Sequence, residues 1–173
     1  MSSSKNDDTE PSAWRLLNGF MGGLFTLFAY VQQNDPDPEL WMAIYLIPAF
    51  LCVAIAISSN VTENQIWRII SLLHVVVLGC FSVFLVKTMT DNATDMKYHE
   101  MEEGRELGGL LFVMVWLIIC SNSTRFSLKY LALGGAVLTS VPILLWIGIY
   151  INTEYRKILP EHCKTVMYAD KET

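Results

Sequence analysis

Five apolar stretches, separated by short polar links, dominate the chain: residues 13–32, 40–58, 66–89, 107–121 and 128–151. A water-soluble core is built from helical stripes and strand alternations, not from uninterrupted runs. Runs of this kind approach the roughly 20 residues that cross a hydrocarbon layer of about 30 Å. Lipid offers the backbone no hydrogen-bond partners, so each run is expected to be a helix rather than an open strand. The weak alternation of barrel strands is not seen. The pattern predicts an all-α fold, an integral membrane bundle of five transmembrane helices over residues 13–152. A disordered polar tail, 1–12, precedes it and a second polar tail, 153–173, follows. The first run is longer than a secretory h-region and no small-residue cleavage site follows it, so it reads as a retained helix.

Asn34, Asp35, Pro36, Asp37 and Pro38 form a turn signal between the first two runs. Proline fixes φ and lacks a donor, which suits a turn and the first turn of the next helix. Pro48 and Pro142 lie inside the second and fifth runs, where each removes an internal hydrogen bond and is expected to kink its helix. Gly104 and Gly108 have the four-residue spacing that lets membrane helices approach closely. Trp14, Trp41, Tyr45, Trp67, Trp146 and Tyr150 sit near run ends and suit an interfacial aromatic belt.

Hydrophobic residues make up 53% of the 173 positions and charged residues 17%, with a net charge of −5. The charges show no basic patch, which argues against a nucleic-acid partner. Cys52, Cys80 and Cys120 fall within apolar runs and Cys163 stands in the polar tail. No Cys-x-x-Cys pair indicates a zinc knuckle or redox motif, and no cofactor is implied. The bilayer is the partner implied by composition, with a membrane protein partner and an unidentified small ligand left open; nothing in the sequence selects an organelle.

Five spans put the termini on opposite sides. The N-terminal tail then shares a side with loops 59–65 and 122–127. Loops 33–39 and 90–106 share the other side with the C-terminal tail. Lys5 and Arg15 flank the start of the first run and no Lys or Arg follows it in the first loop. The positive-inside rule therefore leans towards a cytoplasmic N-terminus. Of three glycosylation sequons, at Asn60, Asn92 and Asn122, this orientation makes only Asn92 lumenal.

The fourth run is the short one. Its 15 residues cover about 22 Å at about 1.5 Å per residue, against about 30 Å of hydrocarbon. The helix is therefore expected to begin earlier, between His99 and Glu106, drawing Glu103, Arg105 and Glu106 to the hydrocarbon edge. Charges there need partners or a polar cavity. Asp35 and Asp37 of the first loop lie on the same side, and the Arg105 guanidinium fork matches a carboxylate. An ion pair from Arg105 to Asp35 or Asp37 is expected. His99, Glu102, Glu103 and Glu106 have helical spacing. With Asn34, Asp35, Asp37 and Arg105 they form the candidate polar cluster.

Three readings of that cluster compete. It is an ion-pair clasp that holds helices together, a binding site for a small ligand, lipid headgroup or ion, or a metal site built from Glu and His. No repeated Glu-x-x-His or His-x-x-x-His pair favours the last. His162 and Cys163 lie on the same side and read as a solvated tail, although they could join such a site. His74, inside the third run, is expected to hydrogen-bond a neighbouring helix.

The string VQQNDPDP at residues 31–38, followed by Trp41 and Tyr45, resembles a signature of the transmembrane protein 220 family. So does EEGRE at residues 102–106, followed by Gly109 and Leu110. Tyr150 to Asn152 and His162 to Val166 are similar to segments of its vertebrate members, and the resemblance covers residues 13–166. It implies a multi-pass membrane protein and supplies no reaction, substrate or catalytic residue. The expected function is that of a non-enzymatic scaffold or binding protein with a polar cluster at one membrane face. The alternatives are a carrier or transporter of lipid or small molecules and a metal-dependent membrane enzyme acting on lipid.

Overall fold

The computed structural model describes residues 9–35, 37–91, 102–123 and 128–151. Its described elements are all helical. Five α-helices run in order: α1 Thr9–Val31, α2 Pro38–Ile57, α3 Gln65–Asp91, α4 Glu102–Ser121 and α5 Leu128–Ile151. Two 3-10 turns, Gln32–Asn34 and Ser59–Glu63, join α1 to α2 and α2 to α3. Pro38 occupies the first turn of α2, where its missing N–H costs no helical bond. The early start expected for the fourth helix is observed: α4 has 20 residues, about 30 Å of helix.

α1 packs most extensively on α2, α3 on α4, and α5 rests against α1. The α1–α2 seam is close because it is lined by small residues. A Cβ on Gly22 would lie 3.0 Å from Val53 and 3.3 Å from the Ala49 carbonyl oxygen, and one on Gly19 would lie 3.6 Å from Ala56. These pairings make the helices antiparallel. Arg15 closes the same seam, donating Nε–H to the Ala56 carbonyl at 2.9 Å and Nη2–H to that of Ile57 at 2.8 Å. The last carbonyls of a helix lack intrahelical donors and carry its negative end, so a guanidinium suits them. α3 and α4 are likewise antiparallel, with Ser71 and Ser121 sharing a hydrogen bond of 3.2 Å and Ser82 reaching the Met114 sulfur.

The polarity of α3 is inverted relative to a soluble helix. Its buried stripe is Trp67, Ser71, His74, Leu78, Ser82, Leu85 and Met89. Its exposed side carries Ile69, Leu72, Leu73, Val76, Val77 and Val83. Polar side chains turned inward and branched aliphatics turned outward are what a hydrocarbon solvent demands. His74 supports this arrangement, its Nε2 lying 3.1 Å from the Ile44 carbonyl oxygen of α2. Among the described residues, three helices are long and apolar enough to cross a membrane: Pro38–Ile57, Gln65–Asp91 and Glu103–Ser121. Leu133–Leu144 of α5 is a shorter apolar stretch.

The aromatic belt expected from run ends takes a different form. Trp14, Trp41, Tyr45 and Trp67 are buried between helices, while the side chains of Trp146 and Tyr150 lie outside the described residues. Trp14 stacks on Trp116 at 5.8 Å, and Trp67 donates its indole N–H to the Leu51 carbonyl at 3.2 Å. Proximity to a helix end sets the depth of a side chain, while helical phase sets the face, and here the phase points inward. A buried polar chain runs beside them. Trp116 donates its indole N–H to the Cys52 sulfur at 3.1 Å, and the Cys120 thiol donates to the Asn18 side-chain oxygen at 3.4 Å. The Asn18 amide in turn donates to the Trp14 carbonyl at 2.9 Å. Asn18 is fully buried and its hydrogen bonds offset the cost of placing an amide there.

Candidate functional site

The 33–39 segment and the start of α4 meet at the end of the bundle opposite Arg15. The 3-10 turn Gln32–Asn34 closes with Asp35 N–H donating to the Gln32 carbonyl at 3.1 Å. That fold leaves Asp35 half-buried and Asp37 exposed. α2 then begins, and Tyr45 follows on its inward face. Phe28 meets the Tyr45 ring edge-on at 5.6 Å, and Phe28 and Phe25 both pack on Phe112 of α4, at 6.3 Å and 5.9 Å. Edge-to-face aromatic packing fixes ring orientation as well as burying area.

The aromatic wall places the Tyr45 hydroxyl directly over Gly109 of α4. A Cβ at Gly109 would collide with that oxygen, so any side chain there would force the phenol to shift. Glu106, one turn before Gly109, and Asp35, from the first loop, both act electrostatically on the Tyr45 hydroxyl. Three segments distant in sequence are thus gathered at one point: the turn after α1, the second turn of α2 and the first turns of α4. The shared end expected for the two acidic segments is what the structure shows.

The other candidate residues distribute unevenly. Glu103 and Arg105 are half-buried on the first turn of α4, and acids there complement the positive helix end. The link displayed between the first loop and α4 runs through the Tyr45 phenol. The side chains of Asn34 and Glu102 lie outside the described residues, as do His99, Asn92, His162 and Cys163. The imidazole and one of the carboxylates required by the metal reading are therefore among the parts not described. Among the described residues, no three of His, Cys, Asp and Glu gather as a metal-ligand set.

Glycine packing also differs from expectation. Gly108 faces open space, whereas its neighbour Gly109 takes the close contact. A step of one residue turns a helix face by about 100°, so the four-residue spacing of Gly104 and Gly108 marks a face one residue away from the packed one. Tyr45 is the site residue that sequence reasoning placed elsewhere. Its signal was present in its position one turn beyond Trp41 on an inward stripe.

The profile of the family described as "Transmembrane family 220, helix" matches residues 24–122, a span that contains the Asp35, Tyr45 and Glu106 meeting point. The chain is also 40% identical over 155 residues to Transmembrane protein 220 of Xenopus laevis, an alignment covering 89% of this chain and 84% of that protein. No solved structure matches the chain. On the family profile and the length and identity of the shared sequence, this chain belongs to transmembrane family 220.

Proposed function

We propose that all five helices cross the bilayer and that the chain is a non-enzymatic scaffold or binding protein. In this reading its polar cluster, at one membrane face, braces the bundle for a partner in the plane of the membrane. α1 and α5 have 23 and 24 residues, long enough to span at about 1.5 Å per residue. The inverted polarity of α3 supports a hydrocarbon surround on its outer side. The observation that carries the reading is the Tyr45 hydroxyl seated on Gly109, within electrostatic reach of Asp35 and Glu106. Glycine-backed contact of this kind draws α2, α4 and the first loop into one closed knot, which suits a brace better than a passage for solutes. Arg105, beside it on α4, is proposed to add its guanidinium to the same carboxylates.

A carrier or transporter would need water to reach the knot. The test is site-resolved thiol labelling of purified protein carrying Glu106→Cys or Asp37→Cys, read by mass spectrometry with a charged, membrane-impermeant reagent. The brace predicts that position 106 reacts about tenfold more slowly than the exposed position 37. Equal rates would show an open aqueous site and overturn the scaffold reading in favour of a carrier.

A further inference from the structure

At the other end of the bundle, the turn Ser59–Glu63, the start of α3 and the end of α4 border a half-open cavity of about 900 Å³. That volume is within the range of about 300–1,000 Å³ usual for small-molecule sites. Its lining is of two kinds. Glu63, Arg68, Ser71 and Asn122 bring charges, a hydroxyl and an amide, while Leu72 and Ile118 line its apolar part. Leu72 lies one turn beyond Arg68 on α3 and Ile118 one turn before Asn122 on α4, so both sit a turn further from the helix ends than the charged lining, and both are exposed. Polar lining at the helix ends and apolar lining towards the middle is the profile of a molecule with a charged head and hydrocarbon tails.

The charges narrow the choice of head. Glu63 and Arg68 are both exposed, one of each sign on the same cavity. The Arg15 guanidinium is committed to two carbonyls of α2. For Arg68 the structure gives a backbone bond to Asn64, and its guanidinium is engaged by no described residue. An arginine fork recognises phosphate. A carboxylate on the same cavity disfavours a purely anionic head and favours one that also carries a cation. The Ser71 and Ser121 hydroxyls share a single hydrogen bond, so acceptor capacity remains for a primary ammonium with its three donors.

We propose that this cavity seats the headgroup of a zwitterionic glycerophospholipid bearing a primary amine, with phosphate at Arg68, the ammonium at Glu63 and Asn122, and acyl chains along Leu72 and Ile118. The site is separate from the Tyr45 knot, and either can fail without the other.

The test uses the full chain, reconstituted in vesicles of equal parts phosphatidylethanolamine, phosphatidylcholine and phosphatidylglycerol, then extracted gently and its retained lipid measured by native mass spectrometry. Phosphatidylethanolamine is expected to be retained about threefold over each of the others. Arg68→Gln is expected to lower total retained phospholipid about fivefold. Glu63→Gln is expected to keep lipid bound but erase the preference for the primary amine. Folding of each variant is checked by its elution and melting in detergent. Retained lipid unchanged in folded Arg68→Gln, or a preference for phosphatidylglycerol in the unaltered protein, overturns the proposal. Displacement of the lipid by free phosphoethanolamine overturns it in favour of a soluble ligand.

Discussion

His74 compensates for Pro48. Proline lacks the N–H that would bond the carbonyl four residues earlier, and that carbonyl belongs to Ile44. The imidazole Nε2 of His74 lies 3.1 Å from that oxygen, so a donor from α3 replaces the one missing from α2. An acceptor exposed inside a bilayer has no water to turn to. The pair therefore couples the hydrogen bond missing from one helix to the sequence of another.

The coupling is measurable. His74→Ala is expected to destabilise the protein by about 1–2 kcal/mol, within the range for hydrogen bonds between membrane helices. Pro48→Ala restores the helical donor to Ile44, so His74→Ala should cost less in that background, by about 1 kcal/mol. The measurement is a double-mutant cycle of unfolding in detergent. Additive losses would show that the Ile44 oxygen does not depend on His74.

Tyr45 and Gly109 give a second cycle. Gly109→Ala drives a methyl into the phenol oxygen and is expected to cost about 1–3 kcal/mol, the usual penalty of overpacking. Tyr45→Phe removes that oxygen and should recover most of the loss. Gly108→Ala, facing open space, should change stability by no more than about 0.5 kcal/mol. Melting temperatures of the four variants, compared under one detergent condition, decide the point.

Arg15 caps the end of α2, so Arg15→Ala is expected to destabilise that end by about 1 kcal/mol. Arg15→Lys should restore only part of the effect, because an ammonium does not span two carbonyls as a planar fork does. Hydrogen exchange at residues 56–58 reports the change locally. Exchange that is unaltered in Arg15→Ala would mean that the cap contributes nothing in solution.

The orientation proposed from Lys5 and Arg15 places residues 92–101, between α3 and α4, away from the cytoplasm. Glycosidase treatment should then shift the mobility of the unaltered protein expressed in cells with a secretory pathway, and Asn92→Gln should abolish the shift. A glycan on Asn60 or Asn122 would reverse the topology.

Much of this fold was legible because its signals are local. Run length located the helices, and the shortness of the fourth run placed its start among the acids preceding Leu107. That His74 would bond a neighbouring helix followed from the cost of a lone imidazole in lipid. Helical phase was harder to read, since nearly every face of a membrane helix is apolar. Tyr45 near a helix end is equally consistent with an interfacial ring and with an inward one, and Gly108 and Gly109 differ only in azimuth. The bond from Cys120 to Asn18 joins residues 102 positions apart, and no pattern along the chain announces it.

Hydrocarbon does not distinguish one flank of α3 from another, because leucine-like surface surrounds most of it. Ser71 and His74 therefore act as a keyway: each has a mate on one side only, and together they set the rotation of the rod about its own axis. With aliphatics in their place the segment would still enter the bilayer, but it would be free to spin.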